Sequence, residues 1–170
     1  EDLILDHVRR DNIPVLRRSS GGGTVVQGKG CLNFTLILSK ERDPQLNDIR
    51  QSYQWILQRV LKVFAELGIA AEFQPISDLA LSDGKKKFSG NAQRRGRTFI
   101  LHHGTVLYDF PLELISRYLA TPKDQPRYRQ GRTHLDFVTN LPGFPDGLSR
   151  GSNGTYDSTA VMVMVMVVVW

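Results

Sequence analysis

The longest periodic stretch of the chain lies at residues 48–67. Its apolar side chains recur every three or four positions, which is the spacing of one face of an α-helix. They are Ile49, Tyr53, Ile56, Leu57, Val60, Leu61, Phe64 and Leu67. Gly68 follows at the position where helices commonly end. The pattern predicts one long amphipathic helix that buries a single face.

Several shorter stretches have the patterns of β-strands. Residues 31–39 alternate at first and then become continuously apolar, as in a buried strand, and residues 71–74, 78–81 and 98–108 are further candidates. The segment between the last two is polar and contains glycine, so it predicts a loop. A second, shorter helix is predicted at residues 112–119.

A glycine-rich segment precedes these elements. Residues 13–18 and 24–27 are apolar and rich in β-formers, and residues 19–23 (SSGGG) interrupt them, which predicts a strand, a tight turn and a strand. The order of elements predicts an α+β fold, a mixed β-sheet flanked by helices. A chain of 170 residues suits one domain, which we place at residues 1–142.

The end of the chain follows no such pattern. Beyond Thr121, Pro, Arg, Gly and Asn are frequent and predict little regular structure. Residues 143–170 are left unassigned. Within them, residues 161–169 (VMVMVMVVV) are apolar but too short for a membrane-spanning helix. This run fits a buried edge strand, an aggregation-prone extension, or sequence unrelated to the domain's function.

Charge narrows the partners without selecting one. The formal net charge is +5, which suits a nucleotide, a nucleic acid or an acidic protein surface. A non-catalytic nucleic-acid-binding module would use Arg94, Arg95, Arg97, Arg127, Arg129 and Arg132, but aromatic interleaving is sparse. Without a long apolar run or a signal-peptide pattern, we expect a cytoplasmic protein with no membrane partner.

Three blocks carry candidate chemistry. In residues 17–24 (RRSSGGGT), glycines that expose backbone amides stand beside arginines, as in a phosphate cradle, although a hairpin turn with flanking charges explains the glycines alone. In residues 84–93 (GKKKFSGNAQ), Lys87 precedes an apolar residue, so it is the lysine with a local reason to point inward. Three lysines on an exposed hairpin are the alternative.

The third block contains His102 and His103 within an apolar strand, where alternation must turn them to opposite sides. We interpret the inward one as a core or pocket residue and not as a zinc ligand, because no further ligand lies at suitable spacing. Cys31 is the only cysteine, which excludes an intrachain disulfide and a cysteine-based zinc site.

In this order and at these separations, the three blocks resemble the lipoate-protein ligase A family of the biotin/lipoate ligase superfamily. The resemblance covers residues 13–119 and rests on RRSSGGGTVVQGKGCLNFT, SDLALSDGKKKFSGNAQ and LHHGTVLYD. It implies a mixed sheet with flanking helices and an enzyme that uses ATP and Mg²⁺.

The resemblance also implies site residues. Lys87 would be catalytic, in contact with the acyl carboxylate and the α-phosphate, and Asp78 would serve magnesium or the nucleotide. ATP and the acyl-adenylate would lie against Arg18, Gly21, Gly22, Gly23, Thr24, Val25 and Val26. Besides Lys87, the acyl group would contact Ser89, Gly90, Ala92 and His103.

The implied reaction has two halves. The carboxylate of lipoate or a related short acyl chain attacks the α-phosphorus of ATP, giving acyl-adenylate and pyrophosphate. A lysine of an acceptor protein then attacks the adenylate and AMP leaves. The implied acceptors are the lipoyl domains of 2-oxoacid dehydrogenases and the glycine-cleavage H protein.

Some features depart from the family. Gln27 and Gly28 replace a His-Asp pair that many relatives carry, and we expect a changed pocket contact. Relatives also carry a strand and a helix before the glycine turn, so part of the acyl-pocket wall is expected to be missing. They carry a C-terminal accessory domain as well, so ligation is expected to need a partner chain unless the sequence is incomplete. Two alternatives stay open: an ATP-independent octanoyl or lipoyl transferase, which needs a cysteine nucleophile, and an inactive or truncated acyl-binding homologue. We interpret Cys31 as a buried core residue, because it lies earlier in the chain than the cysteine of the transferases.

Overall fold

The computed structural model describes residues 2–143 and the strand Met166–Val169. The α-helices of these parts are α1 (Leu5–Arg10), α2 (Ile49–Glu66), α3 (Glu113–Tyr118) and α4 (His134–Phe137), and short 3-10 helices lie at Lys40–Arg42, Pro44–Asn47 and Arg127–Arg129. The strands are β1 (Cys31–Ser39), β2 (Ala71–Gln74), β3 (Asp78–Leu81), β4 (Lys87–Arg95), β5 (Phe99–Leu107) and β6 (Met166–Val169). Glu1, Trp170 and residues 144–165, most of the unassigned C-terminal segment, lie outside the described residues.

The strands form one sheet in the order β2-β3-β4-β5-β1-β6. Neighbours from β2 to β1 are antiparallel, and β6 runs parallel to β1. The prediction of an α+β fold with a mixed sheet and flanking helices is therefore confirmed. Three interpretations were open for the apolar run at residues 161–169. Residues 166–169 form an edge strand of the sheet, and residues 161–165 lie outside the described part.

The long helix α2 begins and ends as its sequence predicts. Asp48 caps it, since its Oδ1 accepts a hydrogen bond of 2.8 Å from the Gln51 amide. Gly68 follows it at φ +74°, a conformation that favours glycine. The buried face of α2 carries Leu57 and Phe64 onto the sheet, where they pack with Leu79, Phe88 and Val106, among other residues. Burying each of these side chains contributes roughly 1.5–3 kcal/mol.

The loop predicted between residues 81 and 98 is wrong, because β4 occupies most of it. Its polar residues Ser89, Asn91 and Gln93 occupy positions where a buried strand usually carries apolar side chains. The sequence of β4 therefore lacks the alternation of apolar and polar residues that predicts a strand. Their polar atoms are hydrogen-bonded to neighbouring side chains and backbone, and these bonds offset the cost of removing polar groups from water.

The two strands predicted around the glycine turn, at residues 13–18 and 24–27, are also wrong. Both segments are irregular, with Val15 60% and Leu16 89% exposed. High β-propensity yields a strand only where a partner strand and a buried face are available. Here the segments run beside the sheet and not within it.

The helix α1 was not predicted from the sequence. It packs on α3, and the ion pair between Arg117 Nε and Asp11 Oδ2 (2.6 Å) and the contact of His7 Nδ1 with the Arg117 carbonyl (2.7 Å) join the two regions. Within the described residues, no helix is both long and apolar enough to cross a membrane.

Candidate functional site

The two faces of the sheet have different roles. We call the side that contacts α2 the helix face and the opposite side the site face. Alternation along β5 turns His102 to the helix face, where it is fully buried beside Tyr53 and Phe34. His103 points to the site face, where its Nε2 lies 2.5 Å from Ser20 Oγ. The prediction that the two histidines face opposite sides is confirmed.

A β-bulge decides which way Lys87 points. Leu79 pairs with Ser89, whereas Ala80 pairs with Lys87, so Phe88 is an extra residue in β4. Phe88 and Ser89 are both buried on the helix face. Lys87 shares the site face with Gly90, and a Cβ on Gly90 would lie 3.1 Å from Lys87 Nζ. In a regular strand, alternation would turn Lys87 towards α2.

Lys87 and Asp78 form an ion pair on the site face. Lys87 Nζ lies 2.8 Å from Asp78 Oδ1, and the two side chains are 29% and 8% exposed. The Tyr128 hydroxyl donates to the other carboxylate oxygen, Oδ2, at 2.7 Å. Burial and the neighbouring Asp78 carboxylate raise the pKa of Tyr128 above its usual value, so the phenol stays protonated and remains a donor.

The glycine loop is held by Arg18. Its Nη2 donates to the carbonyls of Gly21 (2.8 Å) and Gly23 (2.7 Å), and its Nε donates to Gly21 at 3.2 Å. Gly22 lies between them at φ +94°, and a Cβ there would come 2.9 Å from Arg18 Nη2. Glycine at this position is therefore required both by its backbone conformation and by the guanidinium packed against it.

The same loop lies on the site face of β4 and β5. A Cβ on Gly22 would be 3.9 Å from that of Ala92, and Ser20 contacts His103. Burial, followed by repulsion from Arg18, lowers the pKa of His103, so its imidazole is neutral at neutral pH. Arg18, Gly22, Ala92 and His103 are therefore brought together, next to Lys87 and Gly90.

Other predicted site residues lie elsewhere. The Ser89 side chain is 1% exposed and turned to the helix face, where its Oγ accepts from Asn91 Nδ2. Thr24 Oγ1 donates to Asp2 at 3.0 Å, Val25 is exposed, and Val26 packs against the apolar cluster of Cys31 and Phe110. Their assignment to the acyl or nucleotide site stays a prediction.

Magnesium is the metal that the resemblance assigns to Asp78. Within residues 2–143, no group of three His, Cys, Asp or Glu side chains is arranged to hold a metal ion. Magnesium commonly binds one or two carboxylates together with substrate phosphates. Asp78 therefore fits this ion as a single carboxylate ligand to a metal–nucleotide complex, once its bonds to Lys87 and Tyr128 rearrange.

Cys31 is buried in the apolar cluster with Leu107 and Phe110, and burial raises the pKa of its thiol to about 11. A cysteine nucleophile reacts as the thiolate and needs a lowered pKa. Its surroundings therefore favour a packing role.

Three of the arginines of the nucleic-acid interpretation are engaged within the fold. Arg95 donates to the carbonyls of Leu46 and Asn47, and Arg132 donates to the carbonyls of Arg129 and Tyr128. Arg129 is buried and lies over the Phe137 ring. These three side chains therefore hold loops of the fold in place.

Sequence reasoning missed Tyr128 and Ser20 as neighbours of the site. Tyr128 comes from the irregular segment beyond Thr121 and reaches Asp78 across 50 positions of the chain. Ser20 lay within the predicted turn, but its contact with His103 depends on how the loop crosses the sheet. No local pattern encodes either contact.

Comparisons with known proteins identify the family of the chain. Residues 1–148 match the family model of the lipoyl protein ligase A/B catalytic domain. A probable lipoate-protein ligase A of Mycoplasma pneumoniae is 32% identical over 122 residues, which cover 72% of this chain and 34% of the relative. The lipoate-protein ligase LplJ of Bacillus subtilis is 30% identical over 146 residues, 86% of this chain and 42% of the relative.

Solved structures give the same family. A bi-partite lipoate protein ligase of Thermoplasma acidophilum, described with its E2 lipoyl domain, superposes with a TM-score of 0.71 at 27% identity, over 86% of this chain and 56% of that one. A lipoate-protein ligase A bound with ATP gives 0.66 at 26% identity, over 86% and 57%. The chain thus spans about a third to three fifths of the proteins it matches. Because the family model matches most of the chain, the chain belongs to the lipoyl protein ligase A/B catalytic domain family.

Proposed function

We propose that this domain uses ATP to activate lipoate, or a related short acyl acid, as an acyl-adenylate and transfers the acyl group to a lysine of a lipoyl-carrier protein. The observation that carries the proposal is the Lys87–Asp78 pair, which lies on the same face of β4 as the Arg18-braced glycine loop. Relatives named lipoate-protein ligases and a similar structure with bound ATP support it.

Lys87 is suited to the first half-reaction. Its ammonium has three donors, enough to contact a carboxylate oxygen and an α-phosphate oxygen at once. Neutralising both anions lets the carboxylate approach phosphorus, and a positioned charge in a half-buried site stabilises the charge that develops. Asp78 holds the ammonium in place until substrates arrive.

The glycine loop is suited to the nucleotide. Glycines carry no side chain between their backbone and a ligand, so an anion can approach the amides of residues 21–23 closely. Arg18 uses Nε and Nη2 to hold the loop carbonyls, and its Nη1 would face the phosphates. The loop and Lys87 lie over Ala92 and Gly90, neighbours on one face, so both reach the same ligand.

Magnesium, when bound with the nucleotide at Asp78, would neutralise the triphosphate and the leaving pyrophosphate. The neutral imidazole of His103, hydrogen-bonded to Ser20, would line the acyl site without adding positive charge. The similar structure described with an E2 lipoyl domain and the net charge of +5 support an acidic lipoyl domain as acceptor. Lipoyl domains of 2-oxoacid dehydrogenases and the glycine-cleavage H protein are the candidates.

Exchange of labelled pyrophosphate into ATP tests the first half-reaction without an acceptor. We expect exchange that requires both lipoate and magnesium, and we expect Lys86→Ala, a change at an exposed neighbour, to retain it. A folded chain that binds ATP but shows no lipoate-dependent exchange contradicts the proposal.

A further inference from the structure

The helix face carries a row of polar side chains where an apolar core is expected. Ser52 of α2 and His102 of β5 are both fully buried, and Asn91 and Gln93 of β4 lie between them. Asn91 and Gln93 belong to the GNAQ part of the second sequence block, and the proposed reaction uses neither. Buried polar groups cost stability unless their hydrogen bonds are made, so this row needs a physical reason.

The row is a continuous hydrogen-bonded network. Arg95 Nη1 donates to Ser52 Oγ (2.9 Å) and to Gln93 Oε1 (3.0 Å). Gln93 Nε2 lies 3.3 Å from His102 Nδ1, and His102 Nε2 lies 3.2 Å from Asn91 Oδ1. An amide nitrogen is a donor and an amide oxygen is an acceptor, so Nδ1 accepts and Nε2 donates. The network thereby fixes one neutral tautomer of His102.

The network ends directly beneath the site. The Asn91 amide group donates from Nδ2 to the Ser77 carbonyl at 2.8 Å, and the Asn91 backbone N–H donates to the same oxygen at 3.0 Å. Ser77 is the last residue of the turn between β2 and β3, and Asp78 follows it. One residue of β4 therefore occupies both acceptor positions of the carbonyl next to Asp78.

The space for the Asn91 side chain is reserved by a glycine. Gly104 lies opposite Asn91 on β5, and a Cβ there would overlap Asn91 Oδ1 and the Phe34 ring. With His102 holding Oδ1 on one side and Ser77 accepting from Nδ2 on the other, the amide has a single orientation.

We propose that Asn91 is a positioning residue: through the Ser77 carbonyl it fixes Asp78, and through the ion pair it fixes Lys87, while the contact of its Oδ1 with His102 holds the amide in orientation. The role of that placement in adenylation rests on the proposed function, whereas the placement itself is independent of it. Turns move more readily than the strands they join, so the Ser77 turn needs this second tie.

Competitive acetylation of the folded chain, read by mass spectrometry, measures the placement without substrates. Lys87 should react slowly because its ammonium is held by Asp78 and partly covered, and the exposed Lys85 and Lys86 are internal references. Asn91→Ala, and the isosteric Asn91→Asp, which keeps an acceptor for His102 but loses the donor to Ser77, should each raise the relative Lys87 rate by roughly threefold to tenfold.

Ser52→Ala is the matched control, since it removes hydrogen bonds at the far end of the network and leaves the Asn91–Ser77 contact intact. It should lower the melting temperature but change the relative Lys87 rate by less than about twofold. In pyrophosphate exchange, the Asn91 variants should lose kcat with little change in KM for ATP.

Lower melting temperatures with wild-type Lys87 labelling in both Asn91 variants would mean that Asn91 only stabilises the fold, and would overturn the proposal. The labelling result stands even when the wild-type chain shows no exchange, an outcome that contradicts the proposed function alone.

Discussion

The helix face and the site face are built from alternate residues of the same strands, yet they differ in what a side chain there does. On the helix face, Leu79, Phe88 and Val106 pack against α2 and are nearly inaccessible to solvent. On the site face, Asp78 and Lys87 carry charge within one or two positions of those residues. Strand alternation, together with one bulge, thus separates the buried residues of the core from the charged residues of the candidate site.

The largest effect is expected from Phe88→Ala. The ring is fully buried against Phe64, with centroids 5.4 Å apart, so truncation should lower the free energy of unfolding by about 3–5 kcal/mol. Urea titration measures it. A loss of unfolding free energy below about 1 kcal/mol would contradict the assignment of the helix face as the stabilising side of the sheet.

Lys87→Ala changes the neighbouring residue on the other face. We expect lipoate-dependent pyrophosphate exchange to fall by about 10²–10³-fold, the usual effect of removing one positioned donor, while the urea midpoint changes little. Lys86→Ala, at an exposed position of the same turn, is the control. Exchange at the wild-type rate in Lys87→Ala would remove Lys87 from the site.

The two faces should also differ in how their histidines make stability depend on pH. Burial lowers the pKa of His102 to about 3. His103 is only half-buried, and burial together with the nearby Arg18 also lowers its pKa. Below its ordinary pKa of about 6.5, His102 binds a proton in the unfolded chain but not in the native one. Stability is therefore fully present above about pH 6.5 and is lost as pH falls towards 3, at up to about 1.4 kcal/mol per pH unit.

Urea midpoints at pH 7 and pH 5 test this difference. His102→Gln should reduce the pH dependence more than His103→Gln does. An equal change of the urea midpoint between pH 7 and pH 5 in the two variants would show that the two faces bury an imidazole to the same effect.

The smallest effect is expected at Cys31, which lies in an apolar cluster on the site side and not among the charged residues. Cys31→Ser should leave pyrophosphate exchange within about twofold, at a stability cost of about 1 kcal/mol for burying a hydroxyl. With a thiol pKa of about 11, native Cys31 should resist alkylation at pH 8 until the chain is unfolded. Loss of exchange in a folded Cys31→Ser variant would contradict the packing role of Cys31.

Much of the fold was predictable because its signals are local. The period of α2, the glycine that ends it, and the apolar runs of β1 and β5 depend on neighbours in the chain, and the structure confirms these elements. β4 was missed because Ser89, Asn91 and Gln93 are polar, and their full or partial burial is made possible by hydrogen bonds, several of them to residues far away in sequence.

For the candidate site, residue types and spacing along the chain predicted the glycine loop with Arg18, the lysine before Phe88, and one of two adjacent histidines. Tertiary structure decided the rest. The bulge turned Lys87 to the site face, Asp78 met it across the hairpin, and Tyr128 arrived from a segment without a pattern. The physical reason is that strand register and loop packing depend on many distant contacts at once, whereas residue type and spacing are read directly along the chain.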